Sequence, residues 1–322
     1  MKITTTQKLS INQEIERAKT LIENNNHSEA FSIFEEIYNK INTIDAFSET
    51  KKEIESYLIN ITNLEKIKSP ELLYEFSARD LAPQRILSLG ENLYFFTPFS
   101  NKIVSININT KESREYFLPI DRNSGPNSAR IINNNPIFFA RPNKLFSIKD
   151  DDLEIMGELK EPNNSYSFNN FSVFLNSLYF WDTENREIIR YTGYNSNPQN
   201  WFSDETKKPT DIKSMSVDGS IWIIDRDNTL LRYSGGSLAQ EININVFPFL
   251  ESPSHIYTSP SLYDLFILEA ASNRIIITNK QGEVIRQLQS DKFNNLVHFS
   301  LSQDGNDIYV LNNLQVYKVN LR

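Results

Sequence analysis

The chain has 322 residues, a formal net charge of −8, 12% aromatic residues, three histidines and no cysteine. The acidic balance argues against wholesale binding to nucleic acid or anionic membrane, and no run approaches the roughly 20 apolar residues of a membrane span. Without cysteine, thiolate metal sites, disulfides and cysteine nucleophiles are excluded.

The first 69 residues read as three helices. Apolar side chains fall at Ile11, Ile15, Ala18 and Ile22, then at Ala30, Phe34, Ile37 and Ile41, then at Ile54, Leu58, Ile61 and Leu64. Steps of three and four put each set on one helical face. The polar stretch Asn24–Asn26 separates the first two helices, with Ser28 as the expected cap. Ser69-Pro70 is the expected end of the third, because the residue before proline is pushed out of the helical region. The start, MKITTTQKLSINQEIE, lacks the apolar core of a secretory signal. The expectation is a soluble chain, cytoplasmic or the extracytoplasmic part of a membrane-anchored protein.

From residue 70 onward a repeat takes over. NLYFFTPFSNKIVSIN (92–107), NPIFFARPNKLFSIK (135–149), NSLYFWDTENREIIRYT (176–192), GSIWIIDRDNTLLRYS (219–234), the stretch LFILEAASNRIIITNKQGEVIRQL (265–288) and NDIYVLNNLQVYKVN (306–320) each give strand, polar turn, strand. An asparagine recurs at Asn101, Asn143, Asn185, Asn228, Asn273 and Asn313, at intervals of 42, 42, 43, 45 and 40. Asparagine tolerates a left-handed backbone and bonds its own main chain, so a tight turn selects it. A period of about 40–45 residues with four strands per unit is that of propeller blades.

The spacing therefore predicts an all-β six-bladed β-propeller over 70–322, preceded by a small helical segment over 1–69. Inner strands are expected at 85–89, 129–133, 168–174, 211–216, 255–258 and 296–301. Blade three must take its outer edge from 191–209. The last blade lacks a fourth strand, and the unclaimed run at 72–76 (LLYEF) is expected to complete it, closing the ring and removing free edges.

In the fifth repeat, ILEAASNRIIITNKQGEVIRQL resembles the blades of NHL-type six-bladed propellers, with their strand, acidic residue, Asn-Arg-Ile turn and Gly-containing hairpin. The acidic position is Asp182, Asp225 and Glu269 in blades three to five, whereas Thr97, Ala140 and Asn312 depart from it. Trp181-Asp182 matches the WD dipeptide but precedes a turn and lacks that family's histidine, so that family is set aside. Ala18, Leu21, Ala30 and Phe34 resemble the small and large apolar steps of one tetratricopeptide-type hairpin.

Chemistry is sparse. His255 and His298 lie 43 residues apart in successive inner strands, and the spacing gives Asp211 the same place one blade earlier. Inner strands line a propeller's channel, so these three are expected to meet near one mouth, as a candidate metal or proton-transfer set. The alternative is histidines hydrogen-bonded to a neighbouring blade. Tyr191, Tyr194, Trp201 and Phe202, in the one long insertion, form a candidate binding lip, with packing between blades as the competing reading for Trp201. Asp304–Asp307 and Asp225–Asn228 have calcium-like oxygen spacing, but neither completes an EF-hand loop. Phosphate loops, nucleophile elbows and zinc-protease helices are absent. No catalytic residue, metal or cofactor is assigned. The favoured expectation is a non-catalytic binding or scaffolding propeller taking a protein or extended ligand on one face. Bacterial proteins of similar build use such a propeller as the sensor of a larger chain, an analogy of fold alone. The alternative is a metal-dependent hydrolase or lyase with its site in the channel.

Overall fold

The computed structural model describes residues 5–77, 79 and 81–322. Six sheets follow one another along the chain; four are antiparallel meanders whose strands neighbour in sequence order, and the other two each add a strand from just after the helices to such a meander. Their inner strands are Arg85–Leu89, Pro126–Ile132, Phe168–Phe174, Ile212–Val217, Pro253–Tyr257 and Leu296–Leu301. Blade three ends in a two-residue outer strand, Gln199–Asn200, paired with Ile189 and Arg190. In blade six the fourth strand is Glu71–Glu75, which runs antiparallel to Gln315–Asn320 with Leu72 opposite Tyr317. The protein is a six-bladed β-propeller with a small helical segment.

Blades stack face to face, so their second strands are covered on both sides and read as unbroken apolar runs. Ser177–Asp182 and Ile221–Asp225 are buried at every position. Each of the six seams between blades carries its own buried cluster. In the seam of blades two and three, Phe180 lies 4.9 Å, ring to ring, from each of Phe139, Phe168 and Phe171. Burying one such side chain is worth about 1.5–3 kcal/mol.

The acidic position has a structural role. Asp182 accepts hydrogen bonds from the Ser167 and Glu184 backbones, at 2.9 and 3.1 Å. Glu269 accepts from the Glu251 and Ser252 backbones, and Asn312, which replaces the acid in blade six, accepts from Asn294 and Asn295. In these blades the side chain pins the incoming loop to the blade.

The recurring asparagines divide between two roles. Asn228, Asn273 and Asn313 do adopt positive φ, at 69°, 49° and 54°. Asn101 and Asn143 instead clamp the chain leaving their blades. Their side-chain amides donate to the Leu118 and Leu159 carbonyls, at 2.9 and 3.1 Å, and their own carbonyls accept from the same two residues. In blade three Asn185 bonds Ser165 and Asp182, and Arg186 takes the left-handed conformation at φ 51°.

The helices are α1 (Thr5–Glu23), α2 (His27–Ile41) and α3 (Ser48–Ile61). Asn26, not Ser28, caps α2: its side-chain oxygen accepts from the Glu29 backbone, and its amide donates to the Glu29 carboxylate at 2.8 Å. Helix α3 also ends earlier than Ser69-Pro70 implies. The Thr62 hydroxyl bonds back to the Leu58 carbonyl at 2.7 Å, Asn63 turns to φ 50°, and the Gln287 side chain takes the Thr62 carbonyl at 2.8 Å. Leu64 therefore leaves the helical face, and Leu64–Lys66 pairs parallel with the outer edge of blade five, covering an otherwise open sheet edge. The segment seats on the propeller through Phe247 and Phe249, which meet Tyr38 of α2 edge-on at 5.5 Å each.

Candidate functional site

Five of the six inner strands carry a register shift near their first residues: between Pro126 and Ser128, Phe168 and Phe171, Ile212 and Ser214, Pro253 and His255, and Leu296 and His298. Bulges of this kind re-aim side chains at the rim of a sheet. Here they fall at one end of the channel and surround a cavity of about 240 Å³. Its polar lining includes Arg85, Arg130, Lys213, His255, His298 and Asn169.

The two histidines meet. Their rings are 4.1 Å apart, centroid to centroid, inclined at 37°. His255 Nδ1 lies 3.1 Å from Ser214 Oγ, which also accepts from the Ile256 backbone at 3.1 Å. His298 Nδ1 is buried and has no partner among the described residues. Burial holds both imidazoles well below their usual pKa of 6.5, with the neighbouring arginines adding to it in both cases. At neutral pH both rings are uncharged, and two neutral rings tolerate this contact.

Asp211 does not join them. Its Oδ1 accepts from Trp181 Nε1 at 3.2 Å and from the Ile212 backbone at 2.8 Å, and it lies outside the cavity lining. The error of register comes from the uneven repeat: the three strands share the same bulge, but Ser214 precedes His255 by 41 residues whereas His255 precedes His298 by 43. Ser214 stands opposite Ile224 as His255 stands opposite Leu268 and His298 opposite Leu311, so Ser214 is the true counterpart in blade four. Among the described residues, no group of three or more His, Asp or Glu side chains is placed to hold a metal ion.

Nor does the long insertion form a lip of four aromatics. Tyr191 is fully buried and donates its hydroxyl to the Lys160 carbonyl at 2.6 Å. Phe202 is buried against Tyr233, and Trp201 packs edge-on to Tyr179 at 6.3 Å, within the cluster between blades three and four. The two-residue outer strand is too short to cover that seam, and these side chains fill it. Tyr194 alone is exposed, at 42%.

The acid-rich turns are turn chemistry. Asp225 accepts from the Asp227 and Thr229 backbones. Asp304 accepts from the Ser302 hydroxyl and the Asn306 backbone, bonds that lower its pKa to about 2.

Arg85 and Arg130 escaped the sequence reading. Arg130 interrupts the apolar strand SARII, which is the available signal, and among the described residues it has no ion-pair partner. Its Nη atoms donate to the Ala129 and Met215 carbonyls at 2.8 and 3.3 Å, while Nε has no partner. Arg85 donates to the Gln84 carbonyl at 2.9 Å. Arg130 also borders the cavity at the other end of the channel, which has Ile131, Val217 and Leu262 in its wall, and so stands between the two.

No protein-family model matches the chain, and no curated protein matches it in sequence. Solved structures resemble it in shape. Streptogramin B lyase superposes with a TM-score of 0.54 at 17% identity, over 79% of this chain and 98% of that one. A catalytically inactive histidine-to-alanine variant of virginiamycin B lyase from Staphylococcus aureus, with quinupristin, gives 0.51 at 19% identity over 74% and 80%. The computationally designed Ika8 protein gives 0.51 at 8% identity over 78% and 100%. An enzyme and a designed protein fit about equally well, so the likeness concerns fold and not activity. What the chain shares with the lyase propellers is the six-bladed architecture.

Proposed function

We propose that the protein is a non-catalytic binding propeller that takes its ligand, a protein or other extended molecule, at the histidine end of the channel. The carrying observation is the chemistry of that mouth. Guanidinium, ammonium, amide and neutral imidazole groups line it, and among the described residues no carboxylate does. Such a lining supplies hydrogen-bond donors and positive charge, and repels a metal cation. The helical segment, seated on Phe247 and Phe249, is the scaffold's second contact. We group the blades with NHL-type modules, supported by the Glu269–Arg274 pair within the Asn-Arg-Ile repeat. The α1–α2 hairpin we group with tetratricopeptide-type hairpins, supported by the complete burial of Ala18 and Ala30.

A second reading, a lyase or hydrolase acting in the channel, is favoured by the Nδ1 of His298, a neutral imidazole nitrogen with no partner among the described residues. Elemental analysis of the purified protein beside His255→Ala and His298→Ala separates the two. The binding module requires no stoichiometric metal in any of the three. Metal present in the parent and lost from both variants would establish the second reading instead.

A further inference from the structure

We infer that the histidine mouth of the channel binds a small oxyanion, a carboxylate or phosphate group held between Arg85, Arg130 and His298. The inference rests on the reading of that mouth as the ligand site and adds the class of ligand. Three of the residues that line it each hold a buried polar atom with no partner among the described residues: Ser128 Oγ, Arg130 Nε and His298 Nδ1. Buried polar groups are otherwise almost always satisfied, so three around one cavity mark a missing partner. All three can donate: a hydroxyl, a guanidinium N–H and, in the matching tautomer, an imidazole N–H. The missing partner is therefore rich in acceptors.

Its charge follows from the arginines. Among the described residues neither Arg85 nor Arg130 is ion-paired, and each is held where burial disfavours the cation. Arginine stays protonated even so. Two guanidiniums on one cavity with no ion pair among the described residues, and Lys213 beside them, call for a negative ligand. The guanidinium fork matches carboxylate and phosphate oxygens, and both classes share that recognition. The cavity of about 240 Å³ admits such a group with several waters at roughly 30 Å³ each, or with the first atoms of a larger ligand. Arg130, bordering both cavities, forms the floor.

The test is calorimetric titration and thermal melting at pH 7.5 with inorganic phosphate, with succinate, and with sodium chloride at matched ionic strength. At least one oxyanion is expected to bind one to one and to raise the melting temperature saturably, beyond the matched salt. Phosphate alone doing so assigns the phosphate class, and succinate alone the carboxylate class. Arg130→Met is expected to melt no lower than the parent without anion, because it removes an unpaired buried cation, and to lose at least tenfold in affinity. Arg85→Gln and His298→Gln give the same comparison should Arg130→Met fail to fold. Binding no stronger than matched salt for both anions, or unchanged affinity in the folded variants, would overturn the inference. That failure in a metal-free protein leaves the binding propeller standing, whereas stoichiometric metal lost with the histidines removes the reading beneath it.

Discussion

Glu269 and Arg274 face each other within blade five with both side chains closed off from solvent. Arg274 Nε donates to Glu269 Oε2, Nη1 to Gln287 Oε1 and Nη2 to the Pro248 carbonyl, each at 2.6 Å. Gln287 in turn donates to the carbonyls of Thr62, at 2.8 Å, and Phe247, at 3.1 Å. One buried network thus joins the blade, the aromatic loop and the end of α3. Removing one partner of a buried pair costs about 3–5 kcal/mol, because it leaves an uncompensated charge. Arg274→Met is expected to lose stability of that order in urea denaturation and to speed amide exchange over 62–66. A loss below about 1 kcal/mol would show that the network does not fasten the helices.

Ring closure can be trapped covalently. Glu75 stands directly opposite Gln315 in the pairing that completes blade six, and opposed residues of antiparallel strands lie about 4.5–5.5 Å apart, within reach of a disulfide. The natural chain has no cysteine, so Glu75→Cys with Gln315→Cys offers one bridge and no competitor. Oxidation should form it quantitatively, with a faster-migrating band on a non-reducing gel and a higher melting temperature. Failure to form it would show that the two strands do not pair in this register.

Acid should weaken the fold before its carboxylates titrate. His255 and His298 have folded pKa values depressed by burial and by Arg85 and Arg130. As pH falls below about 6.5, the unfolded chain takes up protons that the folded one refuses. The stability linked to these groups is complete above that pH and is lost as pH drops toward their depressed values, at about 1.4 kcal/mol per pH unit for each group. Urea midpoints between pH 7 and 5 should decline in the parent and decline less in His255→Asn combined with His298→Asn. Equal slopes would mean that the imidazoles titrate normally.

Asn273 and Asn143 should respond oppositely to glycine. At Asn273 the backbone needs φ 49°, which glycine adopts freely, so Asn273→Gly should be near neutral. Asn143→Gly removes the amide that holds the Leu159 carbonyl and should cost about 1–3 kcal/mol. Melting of the two variants side by side decides whether one recurring residue has two roles.

Those asparagines show what was legible in the sequence. The second strands are buried on both faces, so runs such as Leu178–Trp181 and Ile221–Ile224 mark the blades without ambiguity. The helix end was not legible. Leu64 fits the helical step, and only Gln287, more than two hundred residues later, draws it into a sheet. The meeting of His255 and His298 follows from equal placement in adjacent blades, but Asp211 is the wrong counterpart because blade four lies 41 residues, and not 43, before blade five. Trp201 packs between blades, as the second of its two sequence readings has it, but nothing in the sequence reveals how short the third blade's outer strand is, or that Phe202 is drawn into the same seam. Arg130 reads like any basic residue until the ring brings it beside Arg85 and the imidazoles.

The most direct measurement is side-chain NMR of the arginine Nε–Hε and histidine ring resonances during titration with phosphate and with succinate, assigned with Arg130→Met and His298→Gln. The Arg130 Nε–Hε and His298 ring signals should move together and saturate at one equivalent site with one of the two anions. If they stay still with both while exposed arginines drift with ionic strength, the channel mouth is not the ligand site.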